Sequence, residues 1–197
     1  MNAVRHPGRV VLYSDFNCPF CYAIHERLHA SGSMELVEWR GVQHAPHLPI
    51  PMARWHDRML GELRHEVALV GRLAPDLPIT VPEGKPNTGP AIQVAASVLA
   101  KDPARGSEFV RRLYRLFWLD GLDISDVGVL REALLEEGLD PQPFLEHHGV
   151  EVQSLTEWDD CWRQTGQGGV PLLERADGTL LMGLAPETEL KQFLATS

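Results

Sequence analysis

The sequence lacks the long apolar runs that a membrane protein needs. No segment approaches about 18 uninterrupted apolar residues, the length of a helix that crosses a bilayer. Near the N-terminus the apolar run Val10-Val11-Leu12 is far shorter than the roughly 7 to 15 residues of a signal-peptide core. We therefore expect no export signal, no membrane partner and a cytoplasmic location.

Basic residues are also scarce. The chain has 18 Lys and Arg against 27 Asp and Glu, which gives a net charge of -9. A protein with this balance has no excess positive charge to bind a phosphate backbone or an anionic lipid surface. Nucleic acid is therefore not an expected partner. With 197 residues, 44% of them hydrophobic, the chain fits one domain, or one domain with a large insertion.

Cysteine is the third scarce residue, with only three in the chain. In a reducing compartment so few cysteines do not indicate a structural disulfide framework. Two of them, Cys18 and Cys21, have the C-x-x-C spacing, which occurs in redox sites and in zinc sites. This pair therefore needs a chemical explanation.

The first part of the chain has the pattern of a strand, a helix and a second strand. Residues 9–15 are β-branched and aromatic, and residues 35–42 alternate as a strand does. Between them Asn17 is a predicted N-cap, and Gly32 is a predicted helix end. The first cysteine, Cys18, is thus predicted at a helix N-terminus in a βαβ unit.

Residues 44–166 are predicted to be an all-helical insertion. A Pro- and His-rich stretch breaks the sheet pattern, and helical periodicity follows. Ser125 and Ser154 are predicted to start two of the helices, the second through a capping box with Glu157. The residues predicted to lie on buried helix faces are Met59, Leu63, Val67, Val70 and Leu73, then Phe109, Leu113, Leu116 and Phe117.

The last part of the chain returns to the sheet. Residues 170–182 have the pattern of two strands joined at Asp177-Gly178, and an amphipathic helix follows. We predict an α/β fold in which residues 1–43 and 167–197 form one domain around the insertion 44–166.

The chemistry of the motif depends on which sulfur is ionised. At a helix N-terminus, free N–H groups and the helix dipole favour the thiolate of Cys18. A thiolate is the species that attacks a disulfide. We expect Cys18, the exposed sulfur, to attack the substrate, and the less exposed Cys21 to attack Cys18 in turn and release it.

A zinc site is the alternative for this spacing, but it needs two further ligands. Cys161 stands alone, and His44 and His47 lie in a proline-broken stretch without a matching second element. A lone C-x-x-C in a βαβ unit favours redox chemistry. We therefore predict no metal and no cofactor.

Several motifs together resemble the DsbA-like thioredoxin-fold family, and most closely its FrnE-like branch. They are the strand followed by Asp15 to Tyr22, then Trp39-Arg40, Asn87-Thr88, Phe117 to Leu139, Gly169-Val170-Pro171 and Gly183 to Pro186. The resemblance implies a thioredoxin fold with a large helical insertion. It also implies dithiol–disulfide exchange with a disulfide-containing protein or a low-molecular-weight thiol.

The same resemblance implies a cis bond before Pro171, packed against the active-site sulfurs. In that arrangement the backbone of Val170 turns toward Cys18 and pairs with an extended substrate. Pro19, Phe20, Gly169, Val170 and Pro171 are therefore the expected substrate-binding residues, with Phe20 as an apolar side chain at an exposed helix start.

Two departures from the FrnE-like pattern concern the substrate groove. Ile92 stands where that branch commonly has His, and His44 replaces an apolar residue. The dipeptide Pro19-Phe20 resembles the glutaredoxin motif more than the Cys-Pro-Trp-Cys of this branch. Because redox potentials span about 150 mV across such motifs, the direction of electron flow stays open.

Two other functions remain as alternatives. The glutathione transferase kappa and 2-hydroxychromene-2-carboxylate isomerase family is similar in its Asp-x-x-x-Pro-x-x-Tyr frame, but there Ser normally replaces the first cysteine. That function would leave both Cys18 and Cys21 unexplained. A peptide-binding holdase, in which the thiols are incidental, is the second alternative.

Other polar residues have a functional and a structural interpretation. Asp15 is a candidate catalytic residue that accepts the proton of Cys21, or it caps the helix. Cys161 is expected to be a small buried hydrophobe. His56, His147 and His148 are expected on the surface.

Overall fold

The computed structural model describes residues 9–146 and 150–195, with side chains omitted for 150–154. The predicted surface residues His147 and His148 lie outside these ranges. Within them, no helix is long and apolar enough to cross a membrane. The elements are β1 (Val10–Ser14), α1 (Pro19–Ala30), β2 (Val37–Gly41), α2 (Asp57–Leu73), α3 (Gly89–Lys101), α4 (Pro103–Trp118), α5 (Val127–Glu136), α6 (Gln142–Leu145), α7 (Val150–Gln164), β3 (Leu172–Glu174), β4 (Leu180–Met182) and α8 (Glu187–Ala195).

Four strands form one mixed sheet in the order β2-β1-β3-β4. Strand β1 pairs in parallel with β2 and antiparallel with β3, so that Leu12 lies between Trp39 and Leu173. Strands β3 and β4 form the predicted hairpin, with Gly178 in its turn at φ +84°, a conformation that glycine adopts without steric cost. The βαβ unit, the hairpin and the α/β class with a helical insertion are confirmed.

One hydrophobic cluster joins the sheet to the helices of the insertion. It includes Leu12 and Phe16 from the sheet side, and the predicted α4 residues Phe109, Leu113 and Phe117. Within it the indole N–H of Trp118 donates to the Phe16 carbonyl at 2.8 Å. On the other sheet face Val11, Tyr13, Val42 and Leu172 pack with Trp162 of α7. The end of β1 is therefore enclosed from both sides. The boundaries of the predicted insertion, at residues 43/44 and 166/167, stay a prediction.

The predicted buried face of α2 is correct only in its middle. Leu63, Val67 and Val70 are buried, whereas Met59 is 45% and Leu73 48% exposed. These two residues lie near opposite ends of α2, and the periodic pattern does not show where the packing partner ends.

The predicted helix caps are wrong by one or a few residues. Cys18 itself is the N-cap of α1, and the amide of Asn17 is buried and donates to the Pro86 carbonyl at 3.0 Å. Asp126 caps α5 by accepting from the N–H of Gly128. Adjacent short polar residues compete for the same role, and the other hydrogen bonds open to each of them decide which one caps the helix.

The two predicted helix starts at Ser125 and Ser154 also differ from the structure. The Ser125 hydroxyl donates to the Asp123 carboxylate at 2.6 Å instead of capping α5. Ser154 lies inside α7, which begins at Val150, so the predicted capping box with Glu157 is wrong.

Helices α3 and α4 approach each other closely at Gly106. A Cβ built there would lie 2.6 Å from Leu99 Cα. We expect Gly106→Ala to lower the free energy of unfolding by about 1–3 kcal/mol, because the helices must separate. The matched control is Gly71→Ala in α2, where nothing lies within 4 Å of the new atom. That change should be neutral or stabilise by up to about 1 kcal/mol. Urea unfolding measures both, and equal stabilities of the two variants would contradict this close contact.

Candidate active site

The first sulfur of the motif lies where β1 ends and α1 begins. The N–H of Cys18 donates to the Asp15 carbonyl at 3.2 Å, and the Cys18 carbonyl accepts from the N–H of Tyr22 at 3.1 Å. Pro19 occupies the first helical position, where its missing N–H leaves no helix bond unmade. The local sequence therefore builds a tight turn that places Cys18 at the helix N-terminus.

Both sulfurs are more enclosed than the sequence suggested. Cys18 is only 7% exposed and Cys21 is fully buried, so Cys18 is the accessible sulfur only in comparison with Cys21. Both are free thiols. The helix start is therefore covered rather than open to solvent.

The two thiols share one negative charge unequally. A hydrogen bond from the Cys21 side chain lowers the pKa of Cys18, and it outweighs the opposing effect of burial. Burial raises the pKa of Cys21, and the charge on Cys18 raises it further. Of the two sulfurs, Cys18 therefore loses its proton first, and Cys21 keeps its proton to higher pH.

Cys18 faces a backbone carbonyl from the loop before β3. Its Sγ lies 3.6 Å from the Val170 carbonyl oxygen, and the Val170–Pro171 bond is cis, as the resemblance implies. The Gly169 carbonyl accepts from the indole N–H of Trp162 at 3.3 Å, which fixes this loop against α7. Positive charge on Lys85 also lowers the pKa of Cys18, although less than the bond to Cys21 does.

Cys21 lies among buried polar groups of β1 and α4. The backbone N–H of Asp15 donates to Cys21 Sγ at 3.4 Å. The Ser14 hydroxyl also bonds to Cys21, and its oxygen lies 2.5 Å from the Tyr114 hydroxyl. These donors favour the thiolate of Cys21 and are in place when it has to ionise. No sequence pattern pointed to Ser14 or Tyr114, which are 100 residues apart.

The carboxylate of Asp15 binds His44, which the sequence had marked only as a departure from the family pattern. Asp15 Oδ2 accepts from the backbone N–H of His44 at 3.0 Å and lies 2.7 Å from its Nδ1. Neither oxygen caps α1, so that interpretation of Asp15 is wrong. Its role as proton acceptor for Cys21 stays a prediction. The sequence did carry a signal for this pair. Asp15 and His44 each follow one of two strands predicted to be parallel, and the carboxyl ends of parallel strands lie at one edge of the sheet.

Two predicted substrate-binding residues belong to the motif itself. Pro19 is buried, and Phe20 is half-buried against the cluster that joins the sheet to the insertion. Outside the motif, Cys161 is half-buried beside the cluster on the other sheet face, not fully buried as expected, and His56 is exposed as expected. Among the described residues, no group of three or more His, Cys, Asp and Glu is arranged to hold a metal.

We expect alkylation to distinguish the two sulfurs. Iodoacetamide should modify Cys18 before Cys21, and the rate should fall as the pH drops through the Cys18 pKa, because the thiolate is lost. Cys21→Ala removes the hydrogen bond and should move that pKa up toward about 8.5. Cys161→Ala is the control and should leave it unchanged. Mass spectrometry of alkylated peptides gives the rates, and an unchanged Cys18 titration in Cys21→Ala would contradict the shared charge.

Comparison with known proteins gives the same fold. A proposed protein disulfide isomerase from Nitrosomonas europaea is 18% identical, with a TM-score of 0.75 over 95% of this chain and 97% of that one. The cytosolic disulfide reductase DsbM from Pseudomonas aeruginosa, solved with glutathione, is 17% identical, with 0.69 over 95% and 98%. A 2-hydroxychromene-2-carboxylate isomerase is 16% identical, with 0.69 over 95% and 93%.

A search of curated protein sequences gives no significant match. The sequence model of the DsbA-like thioredoxin domain family, however, matches residues 9–195. These residues include both sulfurs of the motif, the cis-proline loop and every helix of the insertion. The chain therefore belongs to the DsbA-like thioredoxin domain family.

Proposed function

We propose that this protein is a thiol–disulfide oxidoreductase that exchanges disulfides through Cys18 and Cys21. The observation that carries the proposal is the hydrogen-bonded pair, in which the more accessible sulfur has the lowered pKa and the fully buried sulfur the raised one. This is the division of labour that disulfide exchange needs, because one sulfur must attack at once and the other only later.

The exchange proceeds in two balanced steps. The thiolate of Cys18 attacks a substrate disulfide, forms a mixed disulfide and releases one substrate thiolate, which takes up a proton. Cys21 then loses its proton and attacks Cys18 Sγ, so that the Cys18–Cys21 disulfide forms and the second substrate thiol leaves. Two electrons pass from the dithiol to the substrate, and the reverse sequence oxidises a dithiol.

Substrate is proposed to bind along the loop before β3. The Val170 carbonyl faces Cys18 Sγ, so an extended peptide that pairs with Gly169, Val170 and Pro171 would carry its sulfur to the nucleophile. Phe20, beside Cys18, would supply an apolar contact. Protein disulfides and low-molecular-weight disulfides both fit this arrangement.

The relatives support a proposal for where the protein acts and for the class of thiol with which it reacts. DsbM, which shares the fold over nearly the whole chain, is named a cytosolic disulfide reductase and was solved with glutathione. We propose that this protein likewise acts in the cytosol and reacts with low-molecular-weight thiols of that class.

The isomerase of the same fold represents a second candidate function. A glutathione-dependent transferase or isomerase needs one group that activates the thiol of bound glutathione. That reaction gives no role to Cys21, or to the Ser14 and Tyr114 hydroxyls behind it. Disulfide exchange uses all of these groups.

Insulin reduction in the presence of a thiol reductant tests the proposed function. Cys18→Ala should lower the rate by roughly 10³-fold or more, because the attacking sulfur is gone. Cys21→Ala should accumulate a mixed disulfide with insulin that mass spectrometry detects, because the resolving sulfur is missing. Cys161→Ala is the matched control and should react as the wild type does.

Two outcomes would instead favour the alternatives. Equal behaviour of the wild type and Cys18→Ala, with both preventing aggregation of insulin chains, would indicate a holdase. A tight noncovalent complex with glutathione, and no insulin reduction, would indicate the transferase or isomerase function.

A further inference from the structure

The imidazole of His44 is fixed by one oxygen of Asp15. Oδ2 accepts from the backbone N–H of His44 and pairs with its Nδ1, so both the position of the loop and the plane of the ring are held. Asp15 is fully buried, whereas the His44 side chain is 30% exposed. Among the described residues Nε2 has no hydrogen-bond partner. The ring therefore has one nitrogen committed to the protein and one available to a reactant.

Backbone contacts bring this imidazole to the edge of the sheet that carries Cys18. The N–H of Val42 donates to the Ser14 carbonyl at 3.0 Å, which holds the exit of β2 beside the end of β1. The N–H of Cys18 donates to the Asp15 carbonyl at 3.2 Å. Asp15 is thus bonded through its backbone to the turn of Cys18 and through its carboxylate to His44.

The charges around His44 favour its protonated form. Burial lowers the pKa of His44, but the hydrogen bond to Asp15, the charge of Asp15 and the charge of Cys18 together raise it above its ordinary value. Lys85 opposes this more weakly, and its ammonium group is paired with Glu66 at 2.7 Å. From α7, Asp159 contacts the backbone of Gln43 and adds negative charge toward Asp15.

We propose that His44 is a further catalytic residue of the proposed disulfide exchange, acting as the acid that protonates the sulfur leaving the substrate, with Asp15 as its positioning residue. The inference rests on the proposed function and extends it. Asp15 links the two residues, because its backbone carbonyl contacts Cys18 and its carboxylate contacts His44 at one sheet edge.

The proton balance of the first step then closes within the site. As Cys18 Sγ bonds to one substrate sulfur, the S–S bond breaks and its electron pair goes to the other sulfur. That sulfur takes the imidazolium proton and leaves as a neutral thiol. The neutral imidazole takes a new proton from water through its exposed edge. In the oxidising direction the same imidazole removes the proton from the incoming thiol.

An acid helps most when the leaving sulfur is strongly basic. An alkyl thiol has a pKa near about 8.5, so its thiolate is a poor leaving group. The sulfur that leaves an aromatic disulfide such as dipyridyl disulfide is stable without an added proton. Comparing the two disulfide types therefore separates proton donation by His44 from simple stabilisation of the Cys18 thiolate, which affects both equally.

The test is His44→Gln in the reduced full-length protein, measured in single turnover. With bis(hydroxyethyl) disulfide we expect the rate to fall by at least about tenfold, because general acids commonly accelerate a reaction by more than this. With dipyridyl disulfide, above the Cys18 pKa, the rate should change by less than about twofold, since proton donation is not needed. His47→Gln, an exposed histidine of the same loop, is the matched control and should react as the wild type does with both reagents. Equal losses of His44→Gln with the two reagents would overturn the proposal.

The pH profile gives an independent readout for Asp15. In the wild type the rate with bis(hydroxyethyl) disulfide should depend on pH with two limbs, because the reaction needs the Cys18 thiolate and the His44 imidazolium together. Asp15→Asn removes the charge that raises the His44 pKa, so the limb set by His44 should move to lower pH. An unmoved limb in Asp15→Asn would contradict the positioning role. A wild type that reacts with neither disulfide would contradict the proposed function itself, which is a different result.

Discussion

The candidate active site depends on one negative charge shared by two sulfurs that are almost removed from water. Burial disfavours a thiolate, and the hydrogen bond from the Cys21 thiol is the largest effect that favours the charge on Cys18. Burial also raises the pKa of Cys21, and the same bond raises it further. Two thiolates this close in a dry site would repel each other, so the sulfurs ionise in turn. The order in which the two sulfurs ionise therefore follows from burial and from this hydrogen bond, since the two side chains are chemically identical.

The fold provides this arrangement because polar side chains at the end of the central strand β1 contact three different parts of the chain. After β1, Ser14 meets Tyr114 of α4, Asp15 meets His44 beyond β2, and Asn17 meets the backbone before α3. Each of these polar side chains is fully buried, and a buried polar group needs a partner. All three partners lie within residues 44–166, the predicted insertion. This part of the chain thus completes the site as well as the core, since the sheet alone would leave Ser14, Asp15 and Asn17 without these contacts.

The sequence predicted well those features that depend on short segments of the chain. The βαβ unit, the hairpin at Gly178 and the position of Cys18 at a helix start follow from periodicity, turn residues and the Cys-Pro pair within a few positions. The partners of Asp15 and Ser14 are 29 and 100 residues away, and no local pattern encodes them. The predicted helix caps failed because Asn17 and Ser125 are good caps in isolation but bond elsewhere, Asn17 to the distant Pro86 carbonyl and Ser125 to the neighbouring Asp123.

The acidity of Cys18 and the reduction potential of the Cys18–Cys21 pair depend on the same contacts. Every group that stabilises the Cys18 thiolate acts only on the reduced protein, so it also makes the Cys18–Cys21 disulfide easier to reduce. The bond from Cys21 and the charges of His44 and Lys85 all act this way. A chain with a net charge of -9 therefore places positive charge where it both ionises the nucleophile and raises the potential of the pair. Burial of the sulfurs opposes both effects, and the balance between burial and these few polar contacts sets which way electrons flow.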